Sequence, residues 1–120
     1  MGLGLVPGYA QDPRLAQQYL KNGEYEKAES MYQSLYQKNP QIEVYFSNYL
    51  ECLISLRKTD DAESLIKKEI DRRPKDCMLY AQYGAFLEKT NQAEKSEKQY
   101  EKALQNLSTD LVTVYQLSNF

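Results

Sequence analysis

The residues of this 120-residue chain that are able to do chemistry are few and poorly grouped. It has no histidine, so the commonest general base and the commonest metal ligand are both missing. Cys52 and Cys77 are too few for a disulfide scaffold and too widely separated for a zinc knuckle. The carboxylate pair Asp60 and Asp61 opens an expected helix, where first-turn acids favour the helix dipole rather than proton transfer. There is no glycine-rich phosphate loop, no metal-spaced ligand set and no nucleophile beside a base. Asn106-Leu107-Ser108 fits a glycosylation triplet, which needs a eukaryotic secretory route and is common by chance. The expectation is a protein that is not an enzyme and holds no metal or cofactor.

Composition narrows the remaining classes. With 42% hydrophobic and 27% charged residues, the chain has the balance of one soluble folded domain. A net charge of -2 supplies no basic field for a phosphate backbone, so nucleic acid is not an expected partner. No stretch approaches the roughly 20 apolar residues a membrane span requires. Eleven Tyr, three Phe and no Trp suit packing between helices, with tyrosine hydroxyls kept at the wet edge.

The opening "MGLGLVPGYAQ" is apolar and carries no Lys or Arg before Arg14. Gly8-Tyr9-Ala10 resembles a cleavage site, so residues 1–8 read either as a signal-peptide remnant or as a disordered leader, native or introduced by cloning. The first reading tilts localisation toward a bacterial periplasm or cell envelope, with cytoplasm as the alternative.

The elements that must position any binding residue emerge when the chain is slid along itself. Two prolines close helical stretches, Asn39-Pro40 and Arg73-Pro74, and their offset also carries Ala28-Glu29 to Ala62-Glu63 and then to Ser96-Glu97. Tyr32 maps to Ile66 and Tyr100, Leu15 to Tyr49 and Tyr83, and Tyr19 to Leu53 and Leu87. Tyr36 maps to Ile70 and Leu104, while two looser columns take Ala16 to Leu50 and Gly84 and Pro40 to Pro74 and Ser108. Apolar residues spaced i, i+3, i+4 and i+7 give two amphipathic helices per unit, over 12–22 and 25–38, 43–56 and 60–72, and 77–89 and 93–106. Asp12-Pro13 is an N-cap followed by a proline at a position helices accept, and Asn22-Gly23 supplies a turn with positive φ. Ala28 is small because helices must approach closely there, as at Ala62 and Ser96.

On these residues the chain resembles the tetratricopeptide repeat family, whose period and large-small pattern they match. The first unit carries the match through Leu15, Ala16, Tyr19, Gly23, Tyr25, Ala28, Tyr32, Leu35 and Pro40. The third does so through Tyr80, Tyr83, Gly84, Leu87, Ser96, Tyr100 and Ala103. Three units, 9–42, 43–76 and 77–110, cover almost the whole chain, and 111–120 reads as a partial fourth unit or a capping helix. In that segment Val114 stands in the column of Phe46 and Tyr80, Leu117 in that of Tyr49 and Tyr83, and Ser118 in that of Gly84. The segment also reads as the start of a unit cut short by excision. Departures are Asp12 for an aromatic, Arg57 for the turn glycine, and Glu69 where Leu35 and Ala103 stand, which makes the middle unit the weakest locally.

The resemblance implies an all-α fold, a right-handed α-solenoid of antiparallel helix pairs whose concave face is lined by first helices and binds a protein or peptide. Removing the packing residues leaves one stripe: Arg14, Gln17 and Lys21, then Asn48, Glu51 and Ser55, then Gln82, Ala85 and Lys89. Its mixed charge and amides suit hydrogen bonding to an extended peptide or a partner helix, although it also fits an ordinary solvated face. Leu20 and Ile54 beside it are anchor or packing residues. The chaperone-binding subclass clamps a C-terminal carboxylate with cations, whereas Pro13, Gln17, Met78 and Gln82 occupy those columns here and only Asn48 matches, which argues against that ligand. The expected function is a protein-interaction scaffold; the alternatives are a structural module self-associating through its C-terminal helix, or a regulatory segment of a larger protein. Cys52 and Cys77 are offset by roughly 13 Å along neighbouring first helices, beyond the ~7 Å Cα limit for a bridge, so two free thiols are expected.

Overall fold

The computed structural model describes the backbone of residues 12–118 and side chains through residue 107; the leader reading of 1–8 lies outside them. Six helices follow one another: α1 (Pro13–Lys21), α2 (Tyr25–Lys38), α3 (Glu43–Ser55), α4 (Thr59–Arg72), α5 (Cys77–Lys89) and α6 (Ala93–Ser118). There is no strand among the described residues. The chain divides into two compact units, 1–62 and 63–120, with the division falling inside α4.

Local signals account for the starts of α1 and α5. Asp12 caps α1, its Oδ1 accepting from the Arg14 and Leu15 amides at 3.0 and 3.4 Å, and Pro13 occupies the first turn where no amide is needed. Asp76 caps α5 in the same way through the Met78 amide at 3.0 Å.

The turn that ends each first helix is built identically three times. Gly23, Arg57 and Asn91 lie in the left-handed region, with φ of 76°, 59° and 62°. The residue after each donates to a carbonyl five positions back: Glu24 to Tyr19, Lys58 to Leu53 and Gln92 to Leu87, each at 2.9 Å. This pairing satisfies carbonyls the helix end would leave orphaned. Arg57 therefore adopts the same backbone as the glycine it replaces, and the departure from the family pattern costs strain without changing the turn.

The first unit's core joins Ala16, Ala28, Met31, Tyr32, Leu35 and Cys52, with Tyr19, Tyr25, Tyr45 and Tyr49 packed around it. Helices α2 and α3 run antiparallel: Tyr36 near the end of α2 lies 6.3 Å from Phe46 near the start of α3, while Glu29 near the start of α2 reaches Lys58 just past the end of α3. In the second unit, Leu65, Ile66, Leu79, Tyr80, Tyr83, Phe86 and Leu87 are buried. There the Ser96 hydroxyl donates to the Gly84 carbonyl at 2.8 Å, and a Cβ on Gly84 would sit 2.7 Å from the Tyr100 ring, so α5 and α6 touch where both residues are small. Ala28 and Ala62 are likewise fully buried.

One local reading differs from the structure, and a second gains a physical account. The helix expected to end near 106 continues as α6 to Ser118, because Ser108 stands where Pro40 and Pro74 stop the earlier second helices. Glu69, read as a local weakness, is fully buried: its carboxylate lies 3.1 Å from Arg72 Nη1 and 2.7 Å from Arg73 Nη2, and Arg73 Nη1 reaches the capping Asp76 at 2.9 Å. That chain of charges joins the end of α4 to the start of α5.

Candidate functional site

The first helices α1, α3 and α5 carry the residues expected to bind. In the first unit Arg14, Gln17 and Lys21 are exposed along α1, and Glu51 and Ser55 are exposed on α3. In the second unit Gln82, Ala85 and Lys89 are exposed on α5. Within each helix the spacing of three or four residues aligns them on one side.

Asn48 is different. It is half-buried, and its Nδ2 donates to the Tyr32 hydroxyl at 3.0 Å, bracing α3 on α2. Burial raises the Tyr32 phenol above its ordinary range, and the Asn48 hydrogen bond partly offsets that rise. A buried tyrosine hydroxyl needs such a partner, so Asn48 serves the fold whatever else it contacts. Of the two apolar neighbours, Leu20 packs against the first unit's core, whereas Ile54 stays 44% exposed beside Ser55.

Two of the glutamates that follow the small residues also reach a neighbouring element. Glu29 pairs with Lys58 at 2.7 Å, and Glu63 accepts the Tyr83 hydroxyl at 2.6 Å. Burial, reinforced by the Glu63 carboxylate, pushes the Tyr83 phenol well above its usual range, so it donates as a neutral hydroxyl. Both cysteines are free thiols, as expected: Cys52 is buried, its pKa pushed up to about 11 chiefly by burial, and Cys77 is half-buried.

A feature that the stripe did not include lies in the second unit. Cys77, Met78 and Ala81 of α5 and Tyr100, Leu104 and Leu107 of α6 line an open apolar groove of about 360 Å³. Met78 and Leu104 are each 63% exposed. Its sequence signal was the missing proline at 108, read only as a looser column. Among the described residues no three His, Cys, Asp or Glu side chains are grouped to hold a metal ion, and no helix is long and apolar enough to cross a membrane.

The family model for the PRP39 N-terminal HAT repeat matches residues 13–115 of the chain. Among solved structures the chain is similar to MamA MSR-1 C2, with 18% identity and a TM-score of 0.66 over 80% of this chain. It spans 55% of that structure's chain, and at this identity the likeness is one of fold. No curated protein matches the sequence.

Proposed function

The chain belongs to the PRP39 N-terminal HAT repeat family, a TPR-like helical repeat of the kind that generally mediates protein–protein interaction and is typically noncatalytic, and from that premise we propose that it is an interaction scaffold whose first-helix stripe binds an extended peptide or a helix of a partner protein. The observation that carries this reading is the exposure of eight of the nine stripe residues, with Ile54 presented beside them as an apolar anchor. Amides at Gln17 and Gln82 offer donors and acceptors to a peptide backbone, while Arg14, Lys21, Glu51 and Lys89 set its charge preference. The ligand is a protein segment rather than a free carboxylate terminus, because the clamp columns at Pro13, Gln17, Met78 and Gln82 lack cations.

The test is affinity capture by the wild type against Gln17→Ala/Glu51→Ala/Gln82→Ala, three exposed positions whose loss leaves the core untouched. Partners specific to the wild type are expected to disappear from the variant. Retention of every partner overturns the assignment. Asn48→Ala is unsuitable as a probe, since it also releases Tyr32.

A further inference from the structure

The chain contains its own template for what belongs in the α5–α6 groove. In the first unit, the second-helix residues Tyr32 and Tyr36 are 1% and 2% exposed because the following first helix, α3, lies antiparallel across them with Tyr45, Phe46 and Tyr49. Two repeats later the same columns hold Tyr100 and Leu104, and Leu104 is 63% exposed. The columns of Phe46 and Tyr49 hold Val114 and Leu117. A first-helix pattern thus exists in this chain for the uncovered face.

That pattern is out of its own groove's reach. Covering it would require a turn between 107 and 111, as at residues 39–42, but α6 is unbroken from Ala93 to Ser118. At about 1.5 Å per residue, the stretch after Leu107 extends roughly 16 Å further along the α6 axis instead of folding back. An antiparallel second α6 meets this geometry, because a two-fold operation lays each extension over the other's groove at once. The segment 111–118 carries no charged residue, so its transfer to an apolar groove desolvates no ion.

We propose that the α5–α6 groove binds residues 111–118 of a second copy of this chain, reciprocally, in a symmetric dimer made by exchanging that segment. The contacts follow from the template: Leu104 of each copy takes the place of Tyr36, and Val114 and Leu117 from the other copy take those of Phe46 and Tyr49. This surface uses none of the nine stripe residues, and its test does not depend on any partner.

Sedimentation of the full chain should show a concentration-dependent species at twice the 14.0 kDa chain mass. Leu104→Asp and Val114→Asp should each give a monomer with an unchanged helical spectrum, since Leu104 is mostly exposed in the single chain. Alkylation of Cys77, which lines the groove, should slow as the wild-type dimer fills and stay fast in Leu104→Asp. A wild type that remains monomeric, an open-ended assembly, or a dimer that survives either substitution overturns the proposal.

Discussion

The carboxylate of Glu69 is fully buried and lies 2.7 Å from Nη2 of Arg73, whose Nη1 holds Asp76 at the start of α5. A carboxylate in the column of Leu35 and Ala103 is a departure from the repeat pattern that the neighbouring arginines make affordable.

Restoring the apolar residue should therefore fail. Glu69→Leu leaves two partly exposed guanidinium groups without the carboxylate they share and loosens the Asp76 cap, a loss of roughly 1–3 kcal/mol. Urea denaturation should show Glu69→Leu and Glu69→Ala both well below the wild type. A Glu69→Leu variant as stable as the wild type would make the pattern, and not the ion network, the controlling factor.

Arg57 and Gly23 share one backbone conformation and differ in its cost. Gly23→Ala meets no atom within 4 Å, so its penalty is conformational strain alone, about 1 kcal/mol. Arg57→Gly should move the other way, stabilising by about 0.5–1 kcal/mol as the left-handed strain disappears. Thermal melts of the pair should shift in opposite directions.

Asn48 and Tyr32 should couple. Asn48→Ala leaves a buried hydroxyl without its donor and should lower stability by about 1–2 kcal/mol. Tyr32→Phe removes the hydroxyl, so adding Asn48→Ala to it should cost much less. A double-mutant cycle measures the difference, and additive losses would count against the bracing role.

Stability should fall on the alkaline side. The Cys52 thiol keeps its proton until about 11 when folded, because burial disfavours the thiolate, whereas in the unfolded chain it ionises nearer 9. The buried Tyr32 and Tyr83 and the half-buried Tyr49 are shifted upward for the same leading reason. Between these limits the unfolded state binds fewer protons, so the contribution is present below about pH 9 and is lost as pH rises toward 11. Denaturant midpoints should decline over that range, and Cys52→Ala should flatten part of the decline. At neutral pH a thiol reagent should modify Cys77 in the native protein and Cys52 only on unfolding.

The helix boundaries were legible because they rest on neighbouring residues. Asp12-Pro13, Asn22-Gly23 and the Pro40–Pro74 spacing act over a few positions, and five of the six helices end within a residue or two of where those signals put them. The stripe was legible only as residue type. Nothing near Asn48 in the sequence indicates that its amide meets Tyr32 sixteen residues earlier, and nothing in Leu20 or Ile54 separates the one that packs from the one that faces solvent. The repeat column shows Glu69 as a departure but not its partners, which are arginines three and four positions on.

The period, the paired amphipathic helices, the small-residue joints and the left-handed turn column are determined by the sequence itself, since each arises from local stereochemistry or from self-similarity that any comparison of the chain with itself exposes. Tertiary structure alone decided which polar groups are spent on the fold and which apolar residues stay uncovered. Those outcomes depend on what a neighbouring helix supplies or withholds, and a side chain's type does not carry that information.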